Sequence, residues 1–274
     1  HLLSRRQRQM CIRDRDAVLP AVNGRLMHAA FFHLLQEVSP DASAYLHDKL
    51  TMKPFTVSML SLPEWKRGKF EGIHTVTKGT VFYWRVTALW EKLLQMILSV
   101  PRGYHVQAGR LSLTVEEVSA DSEKYGRSGL LDERQLVAYT LSIEKIHSVT
   151  FHFLSPASFR VDDVDYAFPD PSLLWGSLAD KWIRAGFPLD MTGKDDIKAA
   201  ADGLLPAFWS GRSRKIYFGR DRGVLAFTGT FTYDLSGLSL EWRQMLLLLA
   251  QFATFSGVGR LCGQGFGEVE ISYD

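Results

Sequence analysis

The residues best suited to chemistry are a histidine and a lysine that lie six positions apart, His47 and Lys53. A histidine titrates near neutral pH and can either accept or donate a proton. A neighbouring lysine can stabilise the negative charge that develops on a phosphate group. The pair therefore suits cleavage of a phosphodiester. The spacing alone is weak support, because a lone histidine near a lysine is more often a surface feature or a helix cap.

Other kinds of catalytic centre have no support in the sequence. The eight histidines form no HExxH or similar pattern, and Cys262 has no CxxC companion, so we expect neither a metal site nor a cofactor. There is no GxSxG nucleophile motif. Two cysteines are too few for a disulfide framework, and no secretory signal is visible, which favours a cytoplasmic setting. The longest apolar run, residues 245–250, is too short for a membrane span of about 20 residues.

A glycine-rich run occupies residues 256–267. Glycines allow backbone amides to approach a phosphate closely, and an arginine adds a fixed pair of positive donors. The run is neither a Walker loop nor a dinucleotide-binding motif, since no GK[ST] follows and it lies between a helix and a strand. A helix cap followed by tight turns is the alternative interpretation. The candidate RNA-binding residues here are Gly257, Gly259, Arg260, Gly265 and Gly267.

A second basic feature surrounds a predicted hairpin near residues 212–222. Positive side chains interleaved with aromatic ones on a sheet edge suit RNA, because bases stack on aromatic rings. A solvated hairpin would have the same composition, so this alternative stays open. The candidate RNA-binding residues of the hairpin are Arg212, Arg214, Lys215, Arg220 and Arg222, with Tyr217 and Phe218 beside them.

The order of predicted elements is repeated in the two halves of the chain. Amphipathic helices over 24–37 and 88–100 alternate with strand-like stretches in the first half. In the second half, helices over 169–186 and 238–255 likewise alternate with strand-like stretches, and residues 135–153 are predicted to be rich in strand. Each half approximates a split βαβ–βαβ unit. We therefore predict an α+β fold with two tandem ferredoxin-like (RRM-like) domains, at 16–125 and 135–274, divided by the polar segment 121–134.

The first fifteen residues are predicted to stand apart from this fold. They contain five arginines, and no clean period of 2 or 3.6 is visible. A basic RNA-binding arm is one interpretation. A non-native tail over residues 1–15, joined to a first domain that lacks its initial strand, is the interpretation that we favour.

These features together resemble the CRISPR-associated repeat-processing endoribonucleases, the sixth numbered Cas protein, within the RAMP superfamily. The resemblance runs from about Val18 to the C-terminus. It is carried by three stretches: Tyr45-Leu46-His47 followed by residues 53–58, the central residues 154–160, and the glycine-rich run. The run alone would indicate only the superfamily, whereas its combination with the segment after His47 is much more specific.

The resemblance implies RNA cleavage without metal, in which a 2′-hydroxyl attacks the scissile phosphate and leaves a 2′,3′-cyclic phosphate and a 5′-hydroxyl. His47 matches the catalytic histidine of the family, and Lys53 matches its charge-stabilising lysine. Phe32 stands where many members have a tyrosine, and a phenyl ring cannot transfer a proton. His33 or His28 is then expected to substitute, unless His47 acts with Lys53 alone.

Two other functions remain open at this point. A non-catalytic RAMP subunit that binds CRISPR RNA in an effector complex would need the glycine-rich run and the basic hairpin but not His47. A nucleotide-binding metabolic enzyme of ferredoxin-like fold is a third class, which no motif favours. The expected partners are CRISPR repeat RNA and subunits of an effector complex, with no membrane. Whether the protein is a monomer or a homodimer is left open.

Overall fold

The computed structural model describes residues 2–12, 16–48, 52–61, 72–187, 193–218 and 223–274, with the backbone alone placed over 2–12 and at residue 48. The chain divides into two units. The first contains residues 2–130 together with 263–265, and the second contains residues 131–262 together with 266–274. The tip of the glycine-rich run thus belongs to the first unit, a grouping that the sequence did not predict.

The first unit is an antiparallel sheet with helices on one face. Its strand order is β3-β5-β1-β7-β6, and the chain-initial strand β1 lies between β5 and β7. Such an order belongs to a split βαβ–βαβ unit. The elements are β1 (Leu2–Ile12), β2 (Ala17–Pro20), α1 (Gly24–Val38), α2 (Pro40–Asp48), β3 (Phe55–Val57), β4 (Ile73–Val76), β5 (Val81–Ala88), α3 (Glu91–Leu98), β6 (His105–Ala108) and β7 (Leu111–Ser119), and β8 (Gly129–Asp132) crosses into the second unit.

Helix α1 forms because its apolar residues recur every three or four positions, which places Met27, Phe31 and Leu34 on one buried stripe. The ring of Phe31 packs against Phe55 of β3 and Trp84 of β5, with ring centroids 4.6 and 6.4 Å apart. These contacts fix the face of α1 that points away from the core. His28 and Phe32, the first side chains of the candidate site, lie on α1 and are partly buried.

The prediction that the first domain lacks its initial strand is wrong. Residues Leu2–Ile12 form β1, in which Gln7 lies opposite Arg85 on one side and Ser119 on the other. A strand flanked on both sides is specified by its partners more than by alternation of its own side chains. The weak local pattern therefore hid it.

The second unit repeats the arrangement. Its sheet has the order β12-β13-β9-β14. As in the first unit, the strand that comes first in the chain, β9, lies between two others, here β13 and β14. The prediction of two tandem ferredoxin-like domains is confirmed. The elements are α4 (Glu133–Leu141), β9 (Ser148–Ala157), β10 (Phe159–Val161), β11 (Val164–Tyr166), α5 (Pro171–Arg184), α6 (Lys194–Ala201), β12 (Pro206–Tyr217), β13 (Gly223–Asp234), α7 (Leu240–Ser256) and β14 (Val269–Tyr273).

Helix α4 corrects the prediction that residues 135–153 are mostly strand. The carboxylate of Asp132 accepts hydrogen bonds from the backbone amides of Arg134 and Gln135, at 2.8 and 3.4 Å. An aspartate in this position satisfies amides that a helix start leaves without partners. The sequence signal for this helix is therefore the capping residue Asp132 and not the spacing of apolar residues.

The long helix α7 is buried along most of its length. Its packing includes a hydrogen bond from the indole Nε1 of Trp175 on α5 to the carbonyl oxygen of Leu246, at 2.9 Å. Within the residue ranges given above as described, no helix has the length and apolar content to cross a bilayer. The C-terminus of α7 leads directly into the glycine-rich run.

Candidate active site

His47 lies in the last turn of α2 with its side chain exposed. The ammonium group of Lys53 donates to the backbone carbonyl oxygens of Leu46 and His47, at 2.5 and 2.9 Å. A cation at the end of a helix is favourable because the last carbonyl groups carry partial negative charge. Lys53 therefore fixes the backbone from which the His47 ring projects. Its predicted role at the phosphate stays a prediction.

His28, one turn before Phe32 on α1, is the second histidine of this neighbourhood. Its Nδ1 lies 2.6 Å from the carbonyl oxygen of Gly263, at the tip of the glycine-rich run. A carbonyl can only accept, so Nδ1 carries the proton and Nε2 carries a lone pair when the ring is neutral. Burial lowers the pKa of His28; the bond to Gly263 opposes this, while His47 and Lys53 add to it.

Phe32 lies between the two imidazoles. Its ring centroid is 4.9 Å from that of His28 and 5.3 Å from that of His47, and both contacts are edge-on. Phe55 closes the group, 5.8 Å from Phe32 and 6.3 Å from His28. The phenyl ring at the place of the family tyrosine thus orients two histidines. It occupies the position without supplying a proton.

His33 is oriented differently from His28. Five residues further along the helix correspond to a rotation of about 140°, and the side chain of His33 is exposed. The described contacts bring His28, and not His33, beside His47 and Lys53. A sequence signal for this existed, since His28 and Phe32 are four residues apart and share a helix face. What could not be read from the sequence was the docking of α2 against that face.

The tip of the glycine-rich run is held against the start of α1. A Cβ on Gly24 would overlap the carbonyl oxygen of Gln264, so this close approach requires glycine. The guanidinium Nε of Arg25 donates to the side-chain oxygen of Gln264, at 3.1 Å. The contact brings the carbonyl group of Gly263 to His28. The tip of the glycine-rich run therefore contributes a hydrogen-bond acceptor to the candidate site.

The rest of the run is a compact turn of the second unit. The amides of Gly257 and Gly267 donate to the carbonyl oxygens of Ala253 and Pro156, both at 2.8 Å. The amide of Arg260 donates to the carbonyl oxygen of Ser158, at 2.9 Å. These three amide groups already donate hydrogen bonds within the protein, so they are not available to donate to a phosphate. The prediction that the glycines expose their amides does not hold for Gly257 and Gly267.

The glycines are nevertheless required where they stand. Gly267 has a φ of 69°, and a Cβ there would overlap the carbonyl oxygen of Val258. Gly259 has a φ of 72°, and a Cβ there would overlap the carbonyl oxygen of Ser158. Side chains other than glycine rarely adopt such a backbone conformation. The alternative interpretation of helix cap plus tight turns thus accounts for these two positions.

The guanidinium of Arg260 forms an ion pair with the carboxylate of Asp165 on β11, and the arginine side chain is 28% exposed. The second oxygen of Asp165 accepts from the backbone amide of Leu225, at 3.2 Å. A charge held in this way has a fixed position, although part of its field is cancelled. Binding of RNA by Arg260 stays a prediction, with Asp165 as its fixed neighbour.

The basic hairpin is formed by β12 and β13. Arg212 and Lys215 are exposed on β12, which is an edge strand, and Arg214 is partly buried. The ammonium group of Lys215 lies 5.7 Å from the ring centroid of Tyr217. The candidates Arg220 and Arg222 lie outside the described residues. Across the part of the chain that is described, no three histidine, cysteine, aspartate or glutamate side chains form a group that could hold a metal ion.

Comparison with known proteins adds to this geometry. The model of the CRISPR-associated endoribonuclease Cas6 family matches residues 151–269, and that of the CRISPR Cas6 N-terminal domain matches residues 15–128. Together the two models cover well over half of the chain. No curated protein matches the chain by sequence.

Solved structures extend the similarity over almost the whole chain. A Cas6 product complex is 27% identical, with a TM-score of 0.77, 98% of this chain covered and 100% of that chain. Thermus thermophilus Cas6 is 26% identical, with a TM-score of 0.74 and coverages of 99% and 98%. A RAMP protein binding different RNA substrates is 14% identical with a TM-score of 0.56, covering 98% and 99%, and shows the shared fold alone.

Proposed function

The chain belongs to the Cas6 family of CRISPR-associated endoribonucleases, and from that premise we propose that it cleaves CRISPR repeat RNA at the site formed by His28, His47 and Lys53. The observation that carries this proposal is the pair of imidazoles on either side of Phe32. Cleavage of RNA by its own 2′-hydroxyl needs one group to remove a proton and another to supply one. Two histidines in one cluster meet that requirement without a metal ion.

We assign proton removal to His28. Because its Nδ1–H is directed at Gly263 and its pKa is lowered, the neutral ring presents Nε2 as an acceptor near neutral pH. The 2′-hydroxyl would give its proton to this nitrogen while its oxygen attacks the adjacent phosphorus. A bond forms between phosphorus and the 2′-oxygen, and the bond from phosphorus to the 5′-oxygen breaks.

We assign proton supply to His47. The departing 5′-oxygen takes a proton from the His47 imidazolium and becomes a 5′-hydroxyl, while the other product ends in a 2′,3′-cyclic phosphate. His47 is exposed at the end of α2, where a bound RNA chain can reach it. The ammonium group of Lys53 donates to the His47 carbonyl oxygen, and we assign to its positive charge the stabilisation of the negative charge that develops on the phosphate.

RNA is proposed to be held by basic groups outside this cluster. Arg260, fixed by Asp165, and the exposed arginine and lysine of β12 offer positive charge to phosphates. Gly265, at the tip of the run, allows the close packing against Gly24 that places Gly263 beside His28. Its contribution is therefore to the shape of the site.

The proposal predicts cleavage in the presence of a chelator. Purified protein incubated with its repeat RNA and excess EDTA should cut at the same rate as without EDTA, because the proton transfers use imidazoles alone. The products should carry a cyclic phosphate and a 5′-hydroxyl, which kinase labelling and periodate resistance of the ends can establish. A control reaction with added Mg²⁺ should give the same ends.

A different outcome would identify a different function. Loss of cleavage with EDTA, or ends with a 3′-hydroxyl and a 5′-phosphate, would contradict the mechanism. Tight repeat binding with no cleavage under any condition would instead favour the non-catalytic subunit of an effector complex. The same gel and a parallel filter-binding measurement separate these results.

A further inference from the structure

Two aromatic side chains at the start of the edge strand β12 lie open to solvent. Phe208 is 58% exposed and Trp209 is 55% exposed. They are consecutive residues of a strand, so their rings stand on opposite faces of the sheet. An irregularity in the register between Pro206 and Phe208 precedes them. Large aromatic rings with this exposure are a common feature of binding surfaces.

The ring of Trp209 is fixed in a defined orientation. It lies parallel to the ring of Phe231 on β13, with an angle of 5° and centroids 6.1 Å apart. Phe168 meets it edge-on at 6.2 Å. Phe231 is buried, so one face of the indole is covered by the core while much of the side chain stays accessible. An ordered ring of this kind can receive a second planar group without losing further rotamer freedom.

Positive charge continues along the same strand. Arg212 follows Phe208 on one face, four residues and roughly 13 Å further along. Lys215 follows Trp209 on the other face and lies over the ring of Tyr217. Antiparallel pairing of β12 with a second copy about Ser213 would place Arg212 opposite Arg214, which like charges disfavour. The strand is thus suited to a polyanion with planar groups, and unsuited to its own copy.

We propose that the ring of Trp209 is a base-stacking platform that binds a single-stranded segment of RNA, with a phosphate directed to Lys215 on the same face of β12. The proposal rests on the proposed function only in its choice of RNA as the ligand. Base–aromatic stacking tolerates any sequence because every base has a flat face. The platform would therefore hold unpaired RNA independently of the chemistry at His47.

The test is binding of a fluorescein-labelled 12-nucleotide oligouridine, measured by anisotropy at low and moderate salt. Trp209→Leu keeps apolar surface but removes the aromatic ring, and it should weaken binding about tenfold. Trp209→Phe keeps a ring and should stay close to the unchanged protein, and so should Phe208→Leu, because the ring of Phe208 stands on the opposite face of the sheet. Tyr139→Leu removes an aromatic residue of α4 with 55% exposure and is the matched control, expected to have no effect.

The contrast between leucine and aromatic variants decides the outcome. A Trp209→Leu variant that binds oligouridine as well as the unchanged protein would overturn the proposal and leave a protein partner as the occupant of this surface. Failure of the unchanged protein to bind the oligonucleotide would overturn it too. Neither result depends on cleavage, so repeat cleavage by the same preparations reports on the proposed function separately. Melting temperatures confirm that each variant is folded.

Discussion

His47→Ala is expected to slow cleavage of repeat RNA by about 10²- to 10⁴-fold and to leave the affinity for the RNA within about twofold. The substitution removes the imidazole proposed to protonate the leaving 5′-oxygen. Because the His47 side chain is exposed, the fold should be unaffected. Single-turnover rates with RNA bound to excess protein separate chemistry from binding.

The controls for this variant come from the same unit. His105→Ala removes an exposed histidine of β6 and should leave the rate unchanged. His28→Ala should slow cleavage by a factor comparable to that of His47→Ala. His33→Ala should cleave at the normal rate if His28 is the base. If His33→Ala were inactive and His28→Ala fully active, the assignment of the base would be wrong. Cleavage by His47→Ala at the normal rate would contradict the proposal that this cluster is the active site.

Gly267→Ala is expected to destabilise the second unit by at least about 2 kcal/mol, with a fall in melting temperature of about 5 °C or more. Two effects add. A φ of 69° costs a non-glycine residue roughly 1–2 kcal/mol, and the new Cβ would overlap the carbonyl oxygen of Val258. Relief of the overlap would break the 2.8 Å hydrogen bond between Val258 and Gly267. Thermal unfolding followed by circular dichroism measures the change.

Gly237→Ala is the matched control for this substitution. The position lies in the same unit, and a Cβ there would meet no atom within 4 Å. Its melting temperature should stay within about 1 °C of the unchanged protein. If Gly267→Ala melted normally but lost RNA binding, the glycine would act on phosphate and the structural explanation would be wrong. Lost stability with proportionate loss of binding supports the explanation by packing.

The elements that could be predicted from the sequence are those with a strong local pattern. Helices α1 and α3 are predicted by their apolar periodicity, and the repeated order of elements predicts the tandem fold. Strand β1 was missed because its position depends on pairing with β5 and β7. Helix α4 was missed because the signal was the cap at Asp132.

The candidate site was predictable in part. His47 and Lys53 were identified from residue type, spacing and resemblance, and they lie together. The choice between His28 and His33 required the packing of α2 on α1 and the approach of Gly263 to His28. The contact of His28 with Gly263 joins residues 235 positions apart, and the packing of α2 on α1 depends on tertiary structure, so a local sequence pattern indicates neither of them.

In the proposed mechanism the RNA strand is cut by its own ribose. The decisive substrate is a repeat RNA in which only the 2′-hydroxyl on the 5′ side of the mapped cleavage position is replaced by hydrogen. We expect this RNA to bind with unchanged affinity and to yield no product, while the all-ribose RNA is cut to completion. Cleavage of the deoxy-substituted RNA at that position would rule the mechanism out, since the nucleophile would then be water or a protein group.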